Sequence, residues 1–145
     1  AHALLQAEDK VPEDAKILYI LGDNFFEFNP LIDLDISKPN ASIFLTKVCN
    51  PEEFGVVEII EDKIKSIQEK PQKPKSNYIA VGLYLFDSLC FEYIRTIQKS
   101  DRGEYEITSL IEMYLGKDAL NFHFTKGWWV DAGTPEAIKT IEKLI

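Results

Sequence analysis

The sequence predicts an α/β fold, a mixed sheet flanked by helices, and three observations carry that expectation. Short apolar runs of strand length are interleaved with segments of helical period. Two of the strand runs are separated only by Glu61, Asp62 and Lys63, which asks for a hairpin and so for at least one antiparallel pair. The 145 residues, 46% hydrophobic, suffice for one core, and no repeat or Gly/Ser linker divides them, so one domain over 1–145 is expected.

The elements follow in order. Ala1 to Asp9 reads as a helix with Ala1, Leu4 and Leu5 on one face and no capping residue before it, a start that looks cut. Ile17 to Leu21 is a continuous apolar run, as in strands covered on both faces, and it stops at Gly22, Asp23 and Asn24. Strands are expected over Ala41 to Val48, Gly55 to Ile60, Ile64 to Gln68 and Tyr78 to Phe86, with a Pro-rich loop from Pro71 to Pro74. Asp87 is a candidate N-cap for a helix to about Gln98, with Leu89, Cys90, Tyr93, Ile94 and Ile97 toward the core. A second helix spans Ile107 to Leu115 and stops at Gly116. Leu120, Phe122 and Phe124 alternate with polar residues as a strand, and Trp128 to Val130 continues the strand pattern to Asp131. Thr134 caps a last helix with Pro135 at its first position and Glu136 near its positive end.

Charge and cysteine content narrow the class. Lys and Arg total 16 against 24 Asp and Glu, a net charge of −8, which argues against nucleic acid or an anionic membrane as partner. The longest apolar stretch, Ile79 to Phe86, falls far short of the roughly 20 residues that cross a bilayer. Cys49 and Cys90 lie far apart with no Cys or His at metal-ligand spacing, as in a reduced, cytoplasmic protein.

Candidate chemistry stands where strands end, the place where open α/β sheets collect ligands. Asp23 and Asp131 each close a strand beside small residues, and two hard carboxylates suit Mg²⁺; turn residues are the commoner reading of the pattern alone. Glu69-Lys70-Pro71 offers a carboxylate for sugar hydroxyls and an ammonium for phosphate, with Lys70 held extended by Pro71; a solvated ion pair is the plainer alternative. Gly55 and Gly82 weaken strands unless something approaches the backbone closely, and a ligand is one such thing. Glu106 could meet a sugar hydroxyl or complement a helix dipole, and Trp129 could wall a sugar site or fill the core.

Taken in order, Leu21-Gly22-Asp23-Asn24, Phe54-Gly55-Val56-Val57-Glu58, Glu69-Lys70-Pro71, Pro74-Lys75-Ser76-Asn77-Tyr78, Gly82-Leu83-Tyr84, Arg102-Gly103-Glu104-Tyr105-Glu106-Ile107-Thr108 and Trp129-Val130-Asp131-Ala132-Gly133-Thr134 resemble the sugar-phosphate nucleotidyltransferases, and among them the glucose-1-phosphate thymidylyltransferases. The resemblance implies a mixed, mainly parallel sheet of the Rossmann-like nucleotidyltransferase fold, incomplete at the N-terminus. It also implies transfer of a nucleotidyl group from a nucleoside triphosphate, dTTP, to a sugar 1-phosphate, glucose 1-phosphate, with UTP or an acetamido sugar left open. Asp23 and Asp131 would hold catalytic Mg²⁺ and Lys70 the sugar phosphate. Gly22, Gly55, Glu69, Gly82, Glu106 and Trp129 would surround the substrate, and the full-length protein would be a homo-oligomer.

Several departures go with the likeness. The family's Gly-rich, Arg-containing triphosphate segment has no counterpart here, so little turnover is expected of this chain alone. Ser109 stands where the family usually has Asp, Val81 where it has Thr, and Ala132 where it has Thr or Ser. Two alternatives remain: a non-catalytic sugar-phosphate-binding or regulatory module, and a hydrolase pairing Asp23 or Asp131 with Glu69.

Overall fold

The computed structural model describes residues 1–32, 34–35 and 40–145. Its centre is β6 (Tyr78–Phe86), a Val/Leu/Ile-rich run buried along all its length except Tyr78. Strand β3 (Ala41–Lys47) lies antiparallel on one edge of β6. The other edge is shared: β4 (Gly55–Ile60) meets the start of β6 through Val56 and Ile79, and β1 (Ile17–Ile20) meets its end, Ile17 opposite Phe86 and Ile20 opposite Leu83. With β5 (Lys63–Glu69) outside β4 and β7 (Leu120–Phe124) outside β3, the sheet runs β5-β4-β6-β3-β7.

The sheet is mixed, as expected, but its pairs are antiparallel except β3 with β7, so the expectation that parallel pairs dominate is corrected. The physical reason is connection length. Glu61 and Asp62 both take left-handed backbone (φ 50° and 57°), a two-residue hairpin turn whose twist suits β4 and β5, whereas a parallel neighbour requires a long crossover. The parallel pair is far apart in sequence: between β3 and β7 the chain passes through β4, β5 and β6 and then α2 (Leu89–Thr96) and α3 (Ile107–Leu115).

Helices α2 and α3 cover one face of the sheet, where Phe86, Cys90, Ile94, Leu110, Ile111 and Tyr114 form the main core. Burial in apolar surroundings pushes the Cys90 thiol up to about 12, so it packs as a small hydrophobe. The short N-terminal helix α1 (His2–Leu5) joins this core through Leu4 and ends well before Asp9; a separate tight turn follows at Glu8–Lys10. Asp87 is not the cap of α2. Its carboxylate accepts the Tyr114 hydroxyl at 2.6 Å and the Asn40 amide at 3.1 Å, and α2 starts after Ser88 and ends at Thr96 rather than near Gln98. Phe91 is inside and Leu89 outside, because Phe91 falls on the same helix face as the buried Cys90 and Ile94.

The opposite face carries a smaller cluster, Phe44, Val81 and Leu83, under Phe26, Leu31, Leu34 and Trp129. A two-stranded ribbon of β2 (Asn24–Phe26) and β8 (Trp129–Asp131) lies here, Asn24 opposite Asp131 and Phe26 opposite Trp129. The sequence reading has no strand at Asn24–Phe26. It also has β1 covered on both faces, whereas Ile17 and Tyr19 face the main core and Leu18 and Ile20 are about half exposed. Thr134 caps α4 (Pro135–Leu144) as expected, its hydroxyl accepting from the Ala137 amide at 3.2 Å. Gly116 follows α3 with ordinary right-handed backbone, and the left-handed reversal falls on Asp118 instead. Among the described residues no helix is long and apolar enough to cross a membrane.

Candidate active site

A cavity of about 200 Å³ opens where β5, β6, β8 and the start of α3 converge. Of the residues singled out in the sequence, Gly55, Glu69, Lys70, Gly82, Trp129 and Asp131 line it. Lys70, Trp129 and Asp131 also line a wider cleft of about 730 Å³ that runs over Val48, Asn50 and Thr134. The floor is shaped by close packing: Phe54 meets the Trp129 ring edge-on at 5.6 Å between centroids.

Each glycine has a structural reason of its own. Gly55 pairs with Glu69 across the β4–β5 hairpin, and a Cβ there would lie 2.9 Å from the Thr108 methyl and 3.4 Å from Glu69 Oε2. At Gly82 a Cβ would fall 2.5 Å from Asn24 Nδ2, so the side chain that fills this space belongs to the chain itself. The Gly82 N–H donates to Asn24 Oδ1 at 2.8 Å and its carbonyl accepts from the Leu21 amide at 2.8 Å. Gly22 lies outside the cavity lining, beside open space.

Lys70 is the backbone outlier. It follows the last residue of β5 with φ +41°, left-handed rather than the extended conformation expected before Pro71. Its amide donates to the Phe54 carbonyl at 2.9 Å, which fixes the turn. Left-handed backbone costs a side-chain-bearing residue about 1–2 kcal/mol, and such strain collects at functional sites because surrounding structure must enforce it.

A carboxylate cluster sits beside this turn. Arg102 Nη1 lies 3.4 Å from Glu69 Oε1 and 3.6 Å from Glu106 Oε1, and its Nη2 lies 3.4 Å from Glu104. Burial raises the Glu69 carboxyl above its ordinary value and the neighbouring Glu106 charge adds to the effect; Thr108, Lys70 and Arg102 oppose it. Glu106 stands at the N-cap of α3 without capping it: the carboxylate accepts the Ser100 hydroxyl at 2.8 Å. It reaches the cavity only through its neighbours Ile107 and Thr108, which line it.

The ribbon brings the backbones of the two aspartates close. Asp131 is the register partner of Asn24, and the Ala132 amide donates to the Asp23 carbonyl at 2.7 Å, so Asp23 and Asp131 occupy neighbouring places across the two strands. Oδ1 of each is anchored, by Asn24 Nδ2 at 2.9 Å for Asp23 and by the Gly133 amide at 2.8 Å for Asp131. Asp131 lines both cavities, while Asp23 lines neither. The donor chemistry suits a hard cation, which takes one or two protein carboxylates and completes its shell with water and phosphate. Among the described residues no group of three His, Cys, Asp or Glu side chains could form a complete protein cage for a metal.

Sequence reasoning passed over three contributors. Asn24 reads as a turn residue but starts β2, and the apolar pair Phe25-Phe26 after it is the available sign of a strand. Arg102 and Thr108 belong to a recognisable segment but received no individual role; their place against Glu69 depends on α3 packing on β5, which no local pattern reports.

A lysine and carboxylates gathered at the strand ends of a mixed α/β sheet form a candidate ligand site. The chain belongs to the nucleotidyl transferase family, whose model matches residues 1–145. It is 37% identical over 145 residues to a glucose-1-phosphate thymidylyltransferase of Neisseria meningitidis, covering 95% of this chain and 50% of that protein. Among solved structures it is similar to a Bacillus anthracis protein assigned as a glucose-1-phosphate thymidylyltransferase and solved in complex with sucrose, at 40% identity with a TM-score of 0.89, covering 99% of this chain and 59% of that one. A UDP-glucose pyrophosphorylase complexed with UDP-glucose shares the fold at 22% identity, with a TM-score of 0.82 over 99% of this chain and 62% of that one. The chain spans about half the length of the curated relatives it matches.

Proposed function

We propose that the protein of which this chain is a part joins a sugar 1-phosphate, glucose 1-phosphate, to a nucleoside triphosphate, dTTP, releasing pyrophosphate, and that residues 1–145 form the half that holds the sugar phosphate and the metal. The observation that carries this reading is the cavity in which Glu69 and the strained Lys70 from β5 face Trp129 and Asp131 from β8. A phosphate oxygen of the sugar phosphate attacks the α-phosphorus, the new P–O bond forms as the bond to the bridging α–β oxygen breaks, and pyrophosphate leaves with that electron pair. No covalent enzyme intermediate is involved, so positioning and charge neutralisation are what the residues supply.

In this scheme the Lys70 ammonium holds the sugar phosphate as a point charge, its direction set by the left-handed turn after Glu69. Glu69, Gly55 and Glu106 meet sugar hydroxyls, with Arg102 bridging the two carboxylates and offsetting their repulsion, and Trp129 forms the wall. Asp23 and Asp131 would hold Mg²⁺, and the ion would supply neutralisation of the charge that develops on the phosphates. A cytoplasmic homo-oligomer is part of the proposal. Cys49 and Cys90 are unpaired, as a reducing compartment would keep them.

The test is Mg²⁺-dependent pyrophosphate release from dTTP and glucose 1-phosphate by the full-length protein, with Asp23→Ala and Asp131→Ala alongside. Turnover that falls at least 100-fold in both variants supports the reading. Sugar-phosphate binding with no turnover in the full-length protein replaces it with a non-catalytic binding module.

A further inference from the structure

Asn24 makes more directed contacts across the site than any of the residues assigned a chemical part. Its Oδ1 accepts two hydrogen bonds, from the Gly82 amide and from the Trp129 indole Nε1–H, each at 2.8 Å. Its Nδ2 donates to Asp23 Oδ1 at 2.9 Å. Both lone pairs of the amide oxygen are thus spent on different strands, and one of its two N–H groups on the candidate metal carboxylate. The fit is tight: a Cβ on Gly82 would stand within 2.9 Å of three Asn24 side-chain atoms. On the backbone, Asn24 is the register partner of Asp131.

We infer that Asn24 is a positioning residue, whose amide fixes the Asp23 carboxylate and the Trp129 indole relative to the central strand so that the metal end and the sugar end of the cleft move as one piece. The inference rests on the nucleotidyl-transfer reading of the cleft. Asn is suited to this place because only an amide combines, in this size, an acceptor for two donors with a donor for a carboxylate. Asp offers the same shape and the acceptor, but sets a second carboxylate oxygen against Asp23. Ala offers neither.

The two variants therefore separate the two ends. In the full-length protein, Asn24→Ala should move the Trp129 indole N–H resonance, identified by its loss in Trp129→Phe, to the position of a solvated indole, and raise KM for glucose 1-phosphate at least tenfold. Asn24→Asp should keep that resonance and KM within twofold of wild type. It should also bind Mn²⁺, titrated alone by calorimetry, at least fivefold more tightly, because the cation relieves repulsion between adjacent carboxylates, while kcat falls at least tenfold as the ion is drawn away from Asp131. An indole resonance unmoved in Asn24→Ala, or Mn²⁺ affinity unmoved in Asn24→Asp, overturns the inference. A wild-type protein without turnover refutes the functional reading alone, since the indole and Mn²⁺ measurements still decide whether Asn24 ties the two ends.

Discussion

The helix-covered face of the sheet and its strand ends differ in how completely they are closed and in what their polar groups do, and the ribbon-covered face lies between these extremes. Under α2 and α3, Phe86, Leu110, Ile111 and Tyr114 have essentially no exposed surface, and the one charged group reaching in, Asp87, is met by the Tyr114 hydroxyl and a backbone amide. Under the β2–β8 ribbon the cluster is three fully buried residues, with Phe25 and Phe28 near half exposed. The strand ends between the two faces carry the site's charges: Asp131 in the ribbon, a lysine in left-handed backbone after β5, and three carboxylates around one arginine at the start of α3. One face gains stability from closure. The strand ends hold like charges and strained backbone together, an arrangement useful for binding a charged substrate and costly otherwise.

The largest effect expected from this contrast is in packing. Phe86→Ala should lower unfolding free energy by about 3–5 kcal/mol, since the ring is fully enclosed and stacked against Tyr84 and Tyr114. Phe26→Ala, half-buried on the ribbon side, should cost about 1–2 kcal/mol. Denaturant unfolding of both measures the difference, and equal losses would mean that the two faces contribute alike.

A smaller effect isolates polar satisfaction on the closed face. Tyr114→Phe keeps the packing and deletes the 2.6 Å hydrogen bond to Asp87, leaving that carboxylate with the Asn40 amide alone. A hydrogen bond to a charged group contributes about 1.5–3 kcal/mol, so a loss in that range is expected by chemical denaturation. A loss under about 0.5 kcal/mol would show that water replaces the hydroxyl and that this face is less closed than its geometry implies.

The same contrast explains what the sequence revealed. Elements of the closed face announce themselves through period and length: Tyr78–Phe86 and Ile107–Leu115 carry the expected bounds because each is apolar enough to be placed by burial alone. Pairing direction was not legible, because apolar runs look alike in parallel and antiparallel sheets and only the Glu61-Asp62 turn betrays a hairpin. At the site, Glu69, Lys70, Trp129 and Asp131 were legible through order and strand-end position, and the structure gathers them. Asn24 was not, because a three-residue strand leaves too short a pattern, and its partners Gly82 and Trp129 are 58 and 105 residues away in sequence. Close approach at Gly82 was expected from its place within a strand, but the group that approaches proves to be Asn24, since a missing side chain does not say what fills the space.

The smallest effect is the one that tests the strand-end cluster directly. The Glu69 carboxyl is raised above its ordinary 4.5, first by burial and then by Glu106, with Thr108, Lys70 and Arg102 only partly offsetting them. For an acid whose folded value is raised, the protonated form is the better accommodated one. Its contribution to stability is present in full below the unfolded value and is lost as pH rises through the folded value. Glu69→Gln holds the site permanently in the uncharged state, so the stability of wild type relative to this variant should fall across the window just above pH 4.5. At neutral pH the variant should be as stable as wild type or more so, by less than about 1 kcal/mol, because solvent screens the Arg102 contact. Thermal unfolding of the pair between pH 4 and 7 reads the sign. A relative stability of wild type that rises with pH would mean that Arg102 and Lys70 dominate, making this cluster an ordinary ion-pair network. A fall accompanied by weaker glucose 1-phosphate binding in Glu69→Gln would mean that the strand ends keep a carboxylate the protein would be more stable without, because the substrate uses it.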